Sequence, residues 1–131
     1  MTHPLTEQAE SLFGIALSAE QIEQFEVYAR ELAVWNEKIN LTAITELEAV
    51  RVRHFLDSLS LVKAVTPYSG MRLIDVGTGA GFPGLPLKIA FPSIQVTLLE
   101  ATGKKITFLD HLINTLGLAG AKTLHARAEE A

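Results

Sequence analysis

The sequence predicts an α/β fold in which an all-helical leader is followed by a parallel sheet, on three observations. From Met71 onward, short β-rich apolar runs alternate with helical segments, giving strands at 72–76, 94–99 and 121–125 and helices at 84–91 and 103–116. The first of these runs drives straight into a loop bearing Gly77, Gly79, Gly81 and Gly84. Before Met71 the apolar spacing is helical throughout. Strand, short loop, helix and strand in succession imply parallel pairing through right-handed crossovers.

In chain order, a short helix is expected over Glu7 to Phe13. Ser18-Ala19-Glu20-Gln21 is a capping box, in which the serine hydroxyl and the glutamine amide satisfy each other's backbone N–H groups. Ile22, Phe25, Ala29, Leu32 and Ile39 follow at helical spacing, so a long helix should run from about residue 19 to 38. Thr45-Glu46-Leu47-Glu48 is a second capping box, opening a helix that carries Val50, Phe55, Leu59 and Val62 until Pro67 and Gly70 stop it. In the alternating part, Pro92 ends the helix at 84–91 and Gly117 ends that at 103–116. We expect residues 1–66 to form a helical segment packed on the core, and 67–131 to form the N-terminal half of a larger sheet domain. In doubly wound sheets the first strand is central and the ligand crevice opens where the strand order reverses. With three strands only, 72–76 would be a bare apolar edge. The expectation is that a C-terminal half is missing or another chain covers that edge, with self-association as one outcome.

The 131 residues, 48% hydrophobic and 20% charged, suit one modest globular domain. The absence of cysteine excludes disulfides, thiolate metal sites and a cysteine nucleophile, and suits a reducing compartment. Met1 to Glu7 lack the basic start and apolar core of a secretory signal, and no run approaches the roughly 20 apolar residues that span a bilayer. A cytoplasmic protein is expected. With a net charge of −4 and a pI near 5.5, a nucleic-acid partner would need a local basic face. His3, His111 and His125 have no metal-ligand spacing, and no metal site is expected.

The loop is the candidate ligand cradle, because residues without Cβ let a ligand lie against the main chain and its N–H groups. Two registers compete. Gly79-Ala80-Gly81-Phe82-Pro83-Gly84 fits the dinucleotide pattern G-x-G-x-x-G, with Glu100 roughly 20 residues on as the acid for the ribose hydroxyls. Asp75, Gly77, Gly79 and Gly81 fit instead the D-x-G-x-G-x-G pattern of S-adenosylmethionine-dependent methyltransferases, in which the acid at the strand end meets an ammonium group. A dinucleotide offers no ammonium, and Pro83 and Pro86 remove N–H donors that a pyrophosphate would want. The methyl-donor register is therefore preferred. Asp75 has a plainer role open to it, as a cap on the loop's own N–H groups. For Glu100 the plainer role is a salt bridge to Lys104 or Lys105.

The wider sequence resembles the bacterial ribosomal RNA small-subunit methyltransferase G family, also called glucose-inhibited division protein B. The resemblance is carried by Trp35-Asn36 with Asn40-Leu41-Thr42, by Arg53-His54-Phe55-Leu56-Asp57-Ser58, and by the loop from Ile74 to Gly84. Glu100-Ala101-Thr102-Gly103-Lys104-Lys105 and Ala126-Arg127-Ala128-Glu129-Glu130 continue it. It implies a Rossmann-like methyltransferase fold that continues past the third strand, and methylation of a guanine N7 in 16S ribosomal RNA with S-adenosylmethionine as donor. It also implies donor contacts at Gly77 and Phe82, at Glu100, Ala101 and Thr102, and at Ala128 and Glu129. Arg51, Arg53 and His54 form a polar patch that touches RNA or closes over the donor, with an Arg53–Asp57 pair one turn apart as the plainer alternative. Lys104 and Lys105 sit in the first turn of a helix, where the macrodipole disfavours cations, and so suggest an anion nearby, either Glu100 or an RNA phosphate, with a solvated face as the plainer alternative. Arg127 is a further phosphate candidate. Trp35 is read as core in preference to a base-stacking platform.

Guanine N7 carries a lone pair needing no prior deprotonation, so catalysis should rest on positioning, without a general base or an assigned catalytic residue. The target base is expected to leave its stack, helped by aromatic groups near Phe82. Two other readings stay open: an NAD-dependent oxidoreductase, and an inactive truncated RNA- or protein-binding module.

Overall fold

The computed structural model describes residues 3–39 and 53–127. Helix α1, Pro4–Phe13, begins three residues before the expected Glu7. Pro4 suits a first helical position because its missing N–H would have no partner there, and the His3 ring accepts from Leu5 N at 3.0 Å. Helix α2, Ala19–Ile39, starts at the predicted capping box. Gln21 N donates to Ser18 Oγ at 3.1 Å and Ser18 N to Gln21 Oε1 at 2.7 Å.

The second capping box at Thr45 to Glu48, together with Asn40, Val50 and Arg51, lies outside the described residues. The described part of the helix predicted there is α3, Phe55–Leu59, which tightens into a 3-10 turn at Ser60–Lys63 well before Pro67. Ser58 Oγ donates to the His54 carbonyl at 2.9 Å and Ser60 Oγ to that of Asp57 at 2.5 Å. Hydroxyls that bond backbone carbonyls in this way compete with the regular ladder.

Strands β1 (Arg72–Val76), β2 (Gln95–Glu100) and β3 (Ala121–His125) form a parallel sheet in the order β1-β2-β3. Asp75 lies opposite Leu98, Val76 opposite Leu99, and Glu100 opposite His125. Helices α4 (Gly84–Ala90) and α5 (Gly103–Leu116) make the crossovers. α4 stops one residue short of the predicted Phe91, whose φ of −129° and ψ of 77° lie outside the helical region that a following proline disfavours.

One core unites leader and sheet. Phe25, Tyr28, Leu32 and Phe55 pack with Leu85, Leu98 and Leu109. Polar ties reinforce it: Gln21 Nε2 donates to the carbonyls of Ile89 (2.9 Å) and Ala90 (3.3 Å), and Gln24 Nε2 to that of Leu116 (3.1 Å). α2 thus satisfies carbonyls at the ends of α4 and α5, groups that those helices leave unpaired. Lys88, 2% exposed, donates its ammonium to the carbonyls of Pro92 and Ile94, and burial lowers its pKa. Among the described residues the other sheet face is less covered, although Leu99 between the two edge strands is buried. On that face Ile74 is 67% and Val76 57% exposed on β1, and Leu124 is exposed on β3, the two edge strands. Among the described residues no helix is long and apolar enough to cross a membrane.

Replacing the cap Ser18→Ala should destabilise the chain by about 1 kcal/mol in denaturant melts. Gln21→Ala should cost more, because it also releases the Ile89 and Ala90 carbonyls.

Candidate functional site

Beyond Val76 the backbone turns through three glycines with positive φ: 68° at Gly77, 60° at Gly79 and 101° at Gly81. Side chains rarely tolerate these values. The glycines nonetheless divide into two kinds. A Cβ at Gly77 or Gly79 would meet nothing within 4 Å, so their backbone lies open. A Cβ at Gly81 would lie 2.5 Å from Tyr28 Oη and 3.0 Å from Leu85 Cδ1, and one at Gly84 would lie 2.7 Å from Leu98 Cδ2 and 3.0 Å from Asp75 Oδ2. Gly81 and Gly84 are small because the protein itself packs there.

Asp75, buried at the tip of β1, uses one oxygen twice: Oδ2 accepts from Thr78 Oγ1 at 2.7 Å and from Gly84 N at 2.9 Å. Burial raises its pKa, against the pull of those two bonds, and the Glu100 charge adds to the rise. Glu100, buried at the tip of β2, uses both oxygens. Oε1 accepts from Gly79 N at 2.9 Å and Oε2 from Thr102 N at 3.0 Å. Burial alone would raise its pKa, but the bonds from Thr102 and Gly79 and the charge of Lys105 together bring it below the usual value. The strand tips are themselves joined, with Gly77 N and Thr78 N both donating to the Leu99 carbonyl at 2.9 and 3.3 Å. The two carboxylates therefore flank one loop.

Ala101 and Thr102 follow β2 at the surface, and Thr102 precedes the first turn of α5, where Lys104 and Lys105 sit. No ion pair joins Glu100 to either lysine among the described residues, although Lys105 is near enough to act on its titration. Phe82 caps an aromatic cluster. It stacks on Tyr28 with centroids 5.5 Å apart and planes 5° apart, and lies 4.7 Å from the His54 ring and 6.0 Å from that of Phe55. Partial burial lowers the His54 pKa, with Asp57 opposing and Arg53 adding to the shift. Among the described residues Arg53 and Asp57 form no ion pair. Arg127 is exposed beyond β3, and Ala128 and Glu129 lie outside the described residues. Trp35 packs beside Phe108 and His111, with centroids 5.7 and 5.3 Å away.

Sequence reasoning missed two contributors. Thr78 holds Asp75, and Tyr28, fully buried, donates its hydroxyl to the Ala80 carbonyl at 2.7 Å. The signal for Tyr28 was available: it continues the buried stripe of Phe25 and Leu32, and a buried phenol needs a partner.

The family model described as rRNA small subunit methyltransferase G matches residues 21–131. The chain belongs to that family. It is 51% identical over 123 residues to the ribosomal RNA small subunit methyltransferase G of Caldanaerobacter subterraneus subsp. tengcongensis, an alignment covering 94% of this chain and 52% of that relative. It is 54% identical over 120 residues to the protein of the same name from Dehalococcoides mccartyi, covering 92% and 51%. The chain thus spans about half the length of the curated relatives it matches. Among solved structures it is similar in fold to the C-terminal domain of precorrin-6Y C5,15-methyltransferase from Rhodobacter capsulatus, with a TM-score of 0.51, 20% identity and coverage of 67% of this chain and 43% of that one. The precorrin-6Y C5,15-methyltransferase of Geobacter metallireducens GS-15 gives a TM-score of 0.52 at 14% identity, covering 70% and 43%. The fold is that of a methyltransferase.

Asp75→Asn keeps a carbonyl oxygen for both Thr78 and Gly84 while removing a buried charge, so unfolding stability should stay within about 1 kcal/mol of the parent. Asp75→Ala strands the buried Gly84 N–H and should cost about 1–3 kcal/mol in the same melts.

Proposed function

We propose that this chain binds S-adenosylmethionine at the glycine loop and serves methylation of a guanine N7 in 16S ribosomal RNA, in the cytoplasm. The observation that carries the reading is the pair of buried carboxylates at neighbouring strand tips, flanking open backbone at Gly77 and Gly79. Asp75 has an oxygen, Oδ1, with no hydrogen bond among the described residues, and it suits the donor's ammonium group. Glu100 suits the ribose hydroxyls, with Ala101 and Thr102 beside it and Phe82 on the loop's far side. Gly81 holds the bend in shape. Ala128 and Glu129 are assigned to the same berth by family resemblance alone.

The donor supplies an electrophilic methyl on a sulfonium, and guanine N7 supplies its own lone pair. The residues of this chain bind and orient. The RNA surface proposed comprises Arg53 and His54 at the rim, Lys104 and Lys105 on the first turn of α5, and Arg127 after β3. Dinucleotide binding is disfavoured by the loop itself: Pro83 has no N–H, and Gly84 N is already given to Asp75, so α4 offers a pyrophosphate little. Domain boundaries follow the same reading, with 1–66 as a helical segment against the donor-binding residues 67–131.

Calorimetric titration with S-adenosylhomocysteine and with NAD tests the proposal, binding of the former being expected and preference for NAD overturning it. Asp75→Asn should weaken S-adenosylhomocysteine about tenfold or more, equivalent to about 1.4 kcal/mol, without a matching loss of stability. Labelled methyl transfer to small ribosomal subunits tests the RNA assignment.

Acidification should act through both carboxylates. For Asp75, pushed up by burial, ammonium attraction is present above its raised pKa and lost as pH falls through it. Glu100, held below the ordinary value, adds folding stability that is present above the unfolded-state pKa and lost as pH falls through the folded one. Acid should therefore lower donor affinity through both carboxylates and stability through Glu100, as pH-resolved titrations and melts would register.

A further inference from the structure

The three anchors of the glycine loop come from different parts of the fold. Glu100 holds Gly79 N from β2, and Asp75 holds Gly84 N from β1. Between them, the Ala80 carbonyl is taken by the Tyr28 hydroxyl, which comes from the leader helix α2, 52 residues away in sequence. We propose that Tyr28 is a positioning residue for the methyl-donor site, setting the loop in register so that the open backbone at Gly77 and Gly79 faces the donor. This inference rests on the donor-binding reading given above.

Three features support it. Ala80 is 4% exposed, so its carbonyl would be buried without a partner if the tyrosine were withdrawn. The tyrosine ring lies parallel to Phe82, so it grips the loop through a side chain as well as through the main chain. The absence of a side chain at Gly81 is what admits the hydroxyl, since a Cβ there would stand 2.5 Å from Tyr28 Oη. Burial and the nearby Asp75 charge push the phenol well above its ordinary pKa, so it remains a donor at any working pH. A loop held at both ends and free in the middle would have to be ordered by the ligand, and affinity would fall accordingly.

Tyr28→Phe keeps the ring and removes only the bond. It should weaken S-adenosylhomocysteine about tenfold at a temperature where the variant is fully folded. In the ligand-free chain it should speed hydrogen exchange at the Gly79 and Gly81 amides about tenfold, while the β2 amides stay unchanged. A lower melting temperature with unchanged affinity and unchanged loop exchange would make Tyr28 a packing residue and overturn the proposal. Failure of the unmodified chain to bind the probe overturns the donor reading instead, whereas binding by the parent and equal binding by Tyr28→Phe overturns the role of the tyrosine.

Discussion

Two buried carboxylates holding one loop by its own N–H groups are the constraint on which the rest of this molecule depends. A carboxylate out of water is tolerated only where hydrogen bonds replace its hydration, and each such charge-assisted bond contributes about 1.5–3 kcal/mol. Asp75 and Glu100 meet that demand differently. Asp75 concentrates its bonds on one oxygen and is left with a raised pKa, whereas Glu100 receives one N–H on each oxygen, feels Lys105, and is stabilised as an anion. Two acids of similar chemistry, brought side by side by the pairing of β1 with β2, thus take opposite electrostatic characters.

The leader is part of this arrangement. α2 contributes Phe25, Tyr28, Ala29 and Leu32 to the same core as the sheet helices, and its polar residues at Gln21 and Gln24 cover carbonyls at the ends of α4 and α5. Phe55 of α3 then joins Phe25, Tyr28 and Phe82 in one aromatic cluster beneath the loop. The leader therefore reaches the site through packed rings and one phenol, and His54 and Phe82 form the rim where this cluster meets solvent.

What could be read from the sequence was whatever is decided locally. The capping box at Ser18, the end of α5 at Gly117, and the bounds of β1 and β3 all rest on neighbours in the chain, and all stand as expected. The early start of α1 was also written locally, in Pro4, which suits a first helical position. The 3-10 turn at Ser60 was hidden because serine hydroxyls captured carbonyls that a helical pattern leaves unmentioned. Nonlocal choices were beyond reach. Four glycines look alike in a string, yet only the fold separates the two that face open space from the two that admit Tyr28 and Asp75. Likewise, Asp75 offered two roles, counter-charge to a ligand or cap to the loop, and its Oδ2 serves as the cap.

The strand that delivers Asp75 is also an edge strand, with Ile74 and Val76 facing water. Any segment that zipped onto that rim would stiffen the backbone leading into the loop. Occupancy of the rim and readiness of the berth would then be linked quantities, each raising the other by the same factor, so a partner strand would act on the berth as an effector without touching its occupant.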